Sequence, residues 1–294
     1  MTGITAVQAT RHAGVETPRL ELSGPKLALT FERLANGLEE CGGIERHVDA
    51  LKAKSLLFSR TFLDAEAREL DLKSFKALCA LISTVRRRVT PYLEPQRFGV
   101  LRTAIAGLLD GRGDTTNTDS RMAAFRGAFP EDREHRWVND LAAEILHNLD
   151  PERYPMMLRW VWDAKSNTGV IREIWHAENG ADVDQIEINV PSSYGTYLVL
   201  REELSQFLAE NGVFRDVIWY VDLLTAQIYA DYVGEQGGVY LRADFSRPED
   251  PLMHLRRLLG LDGIGPNGHT RLKSTDGNAF VVEEGAVPRI EQHE

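Results

Sequence analysis

The stretch Val213–Val233, VFRDVIWYVDLLTAQIYADYV, decides the fold class. It is apolar nearly all round, and a helix without a polar face is buried on every side. Asp222 falls in angle between Ile218, Thr225 and Tyr229, on the innermost side of that helix. A buried carboxylate needs a partner or an upward-shifted pKa, so Asp222 is either structural or functional.

Working outward, helical periodicity dominates. Upstream, the chain turns helical at Pro25 and runs to Cys41-Gly42-Gly43. Further helical patterns cover 44–58, 72–89 (ended by Thr90-Pro91) and 98–109 (closed by Asp110-Gly111). Residues 111–120, GRGDTTNTDS, hold no large apolar side chain and read as a loop or linker. Beyond it come helices near 120–128, 133–149, 151–165 and 169–176. The third of these is announced by Asp150-Pro151-Glu152. Segment 196–211 is ambiguous at its start and helical at its end, stopped by Asn211-Gly212, and a last helix covers 251–259.

Strand signals are few. Gln185–Val190 alternates, with Ile186, Ile188 and Val190 on one face, and Val239–Leu241 and Ala279–Val282 are short candidates. The expected fold is therefore mainly α, a multi-helix domain with a small β element. It becomes α+β if the strands at 185–190 and 239–241 pair. The expected layout is a disordered tail (1–25), an N-terminal helical part (26–110) and the linker (111–120). A Trp-rich helical part with a small sheet (121–262) and a mostly flexible tail (263–294) complete it.

Composition narrows the function classes. The chain has 294 residues and a formal charge of −10, which opposes non-specific binding to nucleic acid or anionic membrane. Residues 51–100 go the other way, with ten Lys or Arg against five Asp or Glu. No apolar run is long enough to span a membrane. The start lacks the basic and apolar regions of a secretory signal. Two cysteines without a CxxC pattern fit a reducing cytoplasm.

The motifs GxxxxGK[ST], HExxH and GxSxG do not occur, and the one GxGxxG spacing, Gly263–Gly268, contains Pro266 and leads into no convincing helix. Gly260–Gly268 is glycine-rich but interrupted by Pro266, and reads as a flexible loop. Glu144-x-x-His147 and Glu173-x-x-His176 have the spacing of di-iron ligands on one helix face. Chance alone yields about one such pair here. Helical angles also place Glu144 and His147 opposite the stripe Val138, Leu141, Ile145, Leu149, and Glu173 and His176 away from Ile171 and Ile174. The sequence calls for no metal and no cofactor.

Arg153–His176, RYPMMLRWVWDAKSNTGVIREIWH, is the densest mixture of Trp, Met and Arg. As a helix it puts Tyr154, Met157, Leu158, Val161 and Trp162 on a core stripe. Met156 and Trp160 then lie on the other side, flanked by Arg153, Arg159 and Asp163, with Arg159 and Asp163 spaced to pair.

Three readings follow. The first is a cytosolic, non-enzymatic interaction or accessory protein. It would bind a protein partner, or itself, through Arg153, Met156, Arg159, Trp160 and Asp163. The second is an enzyme with Asp222 and Tyr229 as acid–base groups and His176 nearby. The third is a nucleic-acid-associated protein using Arg86, Arg87, Arg88, Arg97 and Arg102, with Lys73 and Lys76 on the same basic segment.

Overall fold

The computed structural model describes residues 17–64, 69–176, 187–240, 252–265, 267–273 and 277–282. The fold is mainly helical with one small sheet. Among the described residues there are ten α-helices and one two-stranded antiparallel sheet. The chain divides into two compact units, each discontinuous in sequence. Unit 1 takes 1–44 and 159–255, and unit 2 takes 45–158 and 256–294.

Unit 1 is organised by a long helix. α1 (Gly24–Glu40), α7 (Val170–Glu173) and α8 (Tyr194–Glu210) all pack on α9 (Val217–Tyr240). Leu27, Thr30, Leu34 and Leu38 form the buried stripe of α1, at helical spacing, and Gly43 N–H closes its end on the Leu38 carbonyl at 2.7 Å. Arg33 and Thr30 of α1 reach the Asp231 carboxylate of α9, at 3.2 and 3.4 Å. From Val221 to Ile228 every α9 residue is buried, as its unbroken apolarity requires.

Two boundaries of α9 differ from the sequence reading. It begins at Val217, because the Asn211-Gly212 stop is followed by Asp216 at φ +54° and a largely exposed Phe214. It continues through Val239 and Tyr240, where a strand was expected; Leu241 lies outside the described residues. Residues 187–190 form no strand either, while 185 and 186 lie outside the described residues. The burial alternation there is as read, with Ile188 and Val190 in and Glu187 and Asn189 out. Its backbone groups instead meet side chains: Trp162 Nε1–H donates to the Val190 carbonyl (2.9 Å) and Ile188 N–H to the Asn167 side chain (3.3 Å). Alternation reports burial; it does not supply a pairing strand.

The largest correction concerns 151–165, which is not a helix. Asp150 does start a turn, accepting from Arg153 N–H with its side chain and from Tyr154 N–H with its carbonyl. Pro155 then ends it, since proline lacks the N–H and forces the preceding residue out of helical geometry. Further on, Trp160–Asp163 doubles back against Thr168–Ile171. Asp163 N–H donates to Thr168 O at 2.9 Å, and Val170 N–H to Trp160 O at 3.2 Å. Gly169 makes this possible at φ +120°, where a Cβ would stand 2.7 Å from the Val161 carbonyl.

Unit 1 also absorbs residues ahead of α1. Leu22 bridges Trp175, Ser23 N–H donates to Ile174 O at 2.7 Å, and His176 N–H donates to Glu21 O at 2.8 Å.

In unit 2, α4 (Pro95–Leu109), α5 (Thr118–Gly127) and α6 (Trp137–Leu149) pack on one another. α3 (Leu72–Ala80) supports β1 (His269–Lys273), which pairs with β2 (Ala279–Val281). The predicted short strand at 279–282 is thus present, with β1 as a partner the sequence did not announce. α2 (Ile44–Ser59) lies almost wholly in unit 2, and α10 (Met253–Leu258) crosses the division near Leu255. Segment 111–120 is a turn, a short 3-10 segment and the first turn of α5, all inside unit 2.

α3 stops at Ala80 rather than running to Val89. Ile82-Ser83-Thr84-Val85 is a poor helical run. In addition, the turn Gly260–Gly263 sits on the α3 exit. A Cβ on Gly260 would lie 1.8 Å from Leu81 O, and one on Gly263 2.2 Å from Ala80 O.

Candidate functional site

That turn carries Asp262, whose carboxylate holds arginines from two distant parts of unit 2. Arg86 is fully buried and grips its carboxylate with both terminal nitrogens, at 2.9 and 3.1 Å. Arg271, more than half exposed on the outward face of β1, reaches the same carboxylate at 3.0 Å. Arg257 stands nearby, half-buried, and makes no ion pair among the described residues. Burial lowers the Arg257 pKa, and so do the positive fields of Arg87, Arg271 and Arg86; Asp262 opposes them. Arg86 and Arg271 therefore share one carboxylate, whose field also reaches Arg257, and the field of Arg87 reaches Arg257 in turn. Arg87 is exposed, and Arg86 Nε is buried with no hydrogen-bond partner among the described residues.

The turn is held from below. Lys54 donates to Leu259 O at 2.9 Å and pairs with the Glu144 carboxylate at 2.7 Å, both side chains buried. Asn148 Nδ2 donates to the same carboxylate at 2.9 Å. Leu261 N–H returns to Arg256 O at 2.8 Å, completing the turn after α10. The positive cluster thus rests on a fixed backbone, the condition for charges to act without reorganising.

The outward face of β1 extends it. His269, Arg271 and Lys273 are all exposed, while Thr270 and Leu272 point inward. Successive exposed side chains on such a strand stand about 7 Å apart.

The basic residues named from sequence divide between roles. Arg86 is structural, a buried partner of Asp262 rather than a surface contact. Arg87 belongs to the cluster. Arg88 is exposed and donates to Arg133 O at 3.3 Å. Arg97 and Arg102 lie over the rings of Tyr92 and Phe98, each 5.9 Å from the centroid. Arg257, Arg271 and Asp262 were missed. They sit far along the chain from the 51–100 basic run, and no local signal joins them to it.

The Trp–Met face does not exist as an exposed surface. Met156 and Trp160 are each 8% exposed, and without a helix they share no face. The chain divides into its two units between Leu158 and Arg159, within this segment. The Trp160 and Tyr229 rings meet at 5.7 Å, tilted by 44°, and the Trp160 indole N–H has no partner among the described residues. Arg153 pairs with Asp150 at 3.0 Å. Asp163 accepts from Lys165 N–H at 3.2 Å, and the helix that would have set it against Arg159 is absent.

The acid–base candidates are dispersed. Asp222 is buried, and Tyr229 lies two turns further along α9, a rise of about 10 Å. Burial raises the Tyr229 phenol pKa, aided by Tyr232 and Glu173 and opposed by Arg159. His176 is exposed, and its backbone N–H ties it to Glu21.

Glu144 and His147 are also corrected: both are buried. α6 is covered on two faces, so the apolar stripe located only the more hydrophobic one. Glu144 is taken by Lys54, and His147 Nδ1 donates to Tyr154 O at 2.8 Å. Among the described residues no three metal-capable side chains gather.

Comparison with known proteins finds no matching family, no matching curated protein and no matching solved structure.

Proposed function

We propose that this protein is a nucleic-acid-associated binding module that takes the phosphate backbone on unit 2 through Arg87, Arg257 and Arg271. The observation that supports this most is the imbalance at Asp262. Among the described residues Arg86 already neutralises that carboxylate, which leaves Arg271 and Arg257 with a share in one acid and the exposed Arg87 acting on Arg257. Phosphate oxygens supply the missing charge, and guanidinium forks bind them in two-pronged fashion. Contacts of this kind read the backbone rather than the bases, so binding is independent of sequence.

The overall charge of −10 acts against the reading at long range and makes it a weak, salt-sensitive interaction. An accessory role that binds a protein partner through Met156 and Trp160 is not carried forward, since both side chains are buried. Two cysteines outside any disulfide fit a reducing compartment, so a cytoplasmic location belongs to the same reading. No helix among the described residues is long and apolar enough to cross a membrane.

Fluorescence anisotropy with labelled duplexes of two unrelated sequences tests it. At about 50 mM salt both duplexes bind with similar affinity, and Arg257→Gln weakens both equally. Flat titrations for both duplexes would end the proposal.

A further inference from the structure

A second constellation in unit 2 is independent of the arginine cluster. Asp132, His135 and Tyr92 form a continuous hydrogen-bonded array. Asp132 Oδ1 lies 2.7 Å from His135 Nδ1, and His135 Nε2 lies 2.9 Å from Tyr92 Oη. A carboxylate only accepts, so the imidazole proton sits on Nδ1 and the Nε2 lone pair accepts from the phenol. The carboxylate is fixed in turn by Glu134 N–H and His135 N–H, at 2.8 and 3.0 Å. These bonds, with the His135 side chain foremost, keep the Asp132 pKa below the ordinary carboxylate value.

The phenol is equally constrained. Tyr92 sits on the short 3-10 turn Thr90–Leu93, and its ring meets Phe129 at 5.5 Å and Trp137 at 5.4 Å edge-on. Arg97 lies over the ring face, 5.9 Å from its centroid. The ring is half-buried, so the site opens to solvent.

Nucleophile, base and orienting acid in hydrogen-bonded series is the arrangement that activates a hydroxyl for attack. We propose that Tyr92 Oη is a nucleophile for group transfer, with His135 as its base and Asp132 as the group that orients His135. The substrate class is an activated ester or anhydride, its transferring group carrying negative charge towards Arg97. In the step, Oη bonds to the electrophilic centre and the bond to the leaving group breaks, that group keeping the electron pair. The phenol proton passes to His135 Nε2, and Asp132 stabilises the imidazolium. Burial, foremost, and Asp132 raise the Tyr92 pKa while Arg97 lowers it, so the neutral phenol with an adjacent base is the reacting form rather than free phenolate.

An aryl sulfonyl fluoride mimics the electrophile: the phenol oxygen bonds to sulfur, fluoride leaves and the proton goes to the base. The full-length chain is treated with 4-(2-aminoethyl)benzenesulfonyl fluoride, and labelling is followed at each of the eight tyrosines by peptide mass spectrometry. Tyr92 is expected to label about 100-fold faster than the median tyrosine. His135→Gln should bring it down to the common rate, with Asp132→Asn between. Added imidazole should restore labelling in His135→Ala, which a merely structural histidine would not allow. Tyr92 labelling at the common rate in the wild-type chain overturns the proposal whatever the variants do. So does a rate unchanged by His135→Gln.

Discussion

Arg86 holds Asp262 through both guanidinium terminal nitrogens, at 2.9 and 3.1 Å, from a position with almost no exposure to solvent. Asp262→Ala strands that buried charge and should cost about 3–5 kcal/mol in urea denaturation. Arg271→Gln removes only the exposed partner of the same carboxylate and should cost less than about 1 kcal/mol. Similar losses for the two variants would show that Arg86 does not depend on Asp262.

Lys54 and Glu144 give a second asymmetric case. Lys54→Met leaves the Glu144 carboxylate buried without its cation and should lose about 3–5 kcal/mol. The double variant Lys54→Met, Glu144→Leu should recover much of the loss, because two apolar side chains need no partner. Additive losses would mean that the pair is not coupled.

Asp71 caps α3, accepting from Lys73 N–H and Ser74 N–H at 2.9 Å and from the Ser74 hydroxyl at 2.6 Å. Burial raises its pKa, yet these bonds, that of the Ser74 hydroxyl first, outweigh burial and leave it below the ordinary value. A depressed carboxyl stabilises the fold above its unfolded pKa and stops doing so as pH falls through its folded one. Asp71→Ala should therefore cost about 1 kcal/mol at pH 7. The gap from wild type should shrink as pH falls through and below about 3.9. Parallel curves for thermal midpoint against pH would rule out the ionised cap.

Trp160 separates a core role from a surface role. Trp160→Ala should lose about 3–5 kcal/mol, as a large buried side chain does. Trp160→Phe should lose much less, since it keeps most of the ring and removes an N–H that has no partner among the described residues. An Ala variant as stable as wild type would return Trp160 to the surface.

These cases show what the sequence made legible. Periodicity located α1, α2, α4, α5 and α6 closely, and unbroken apolarity identified α9 as the helix on which α1, α7 and α8 pack. Pro155 was overlooked inside an otherwise helical pattern, and the supposed Met156–Trp160 face depended on that helix. The end of α3 was hidden for a different reason. It depends on Gly260 and Gly263 lying against Ala80 and Leu81, a contact between distant parts of the chain. The arginine cluster has the same origin: Arg86 and Arg87 were visible as a charge run, while Arg257, Asp262 and Arg271 join them only on folding. Tyr92, His135 and Asp132 likewise come from two separate loops, and no single motif spans them.

The most direct test of the central claim is the salt dependence of duplex DNA binding, measured for wild type and for Arg257→Gln, Arg271→Gln together. Each phosphate contact contributes a slope of about −0.9 in log affinity against log salt concentration. The double variant should therefore bind more weakly at about 50 mM salt, with a slope shallower by about 1.8. No binding by the wild type at that salt, or a double variant with the same affinity and slope, would contradict the account.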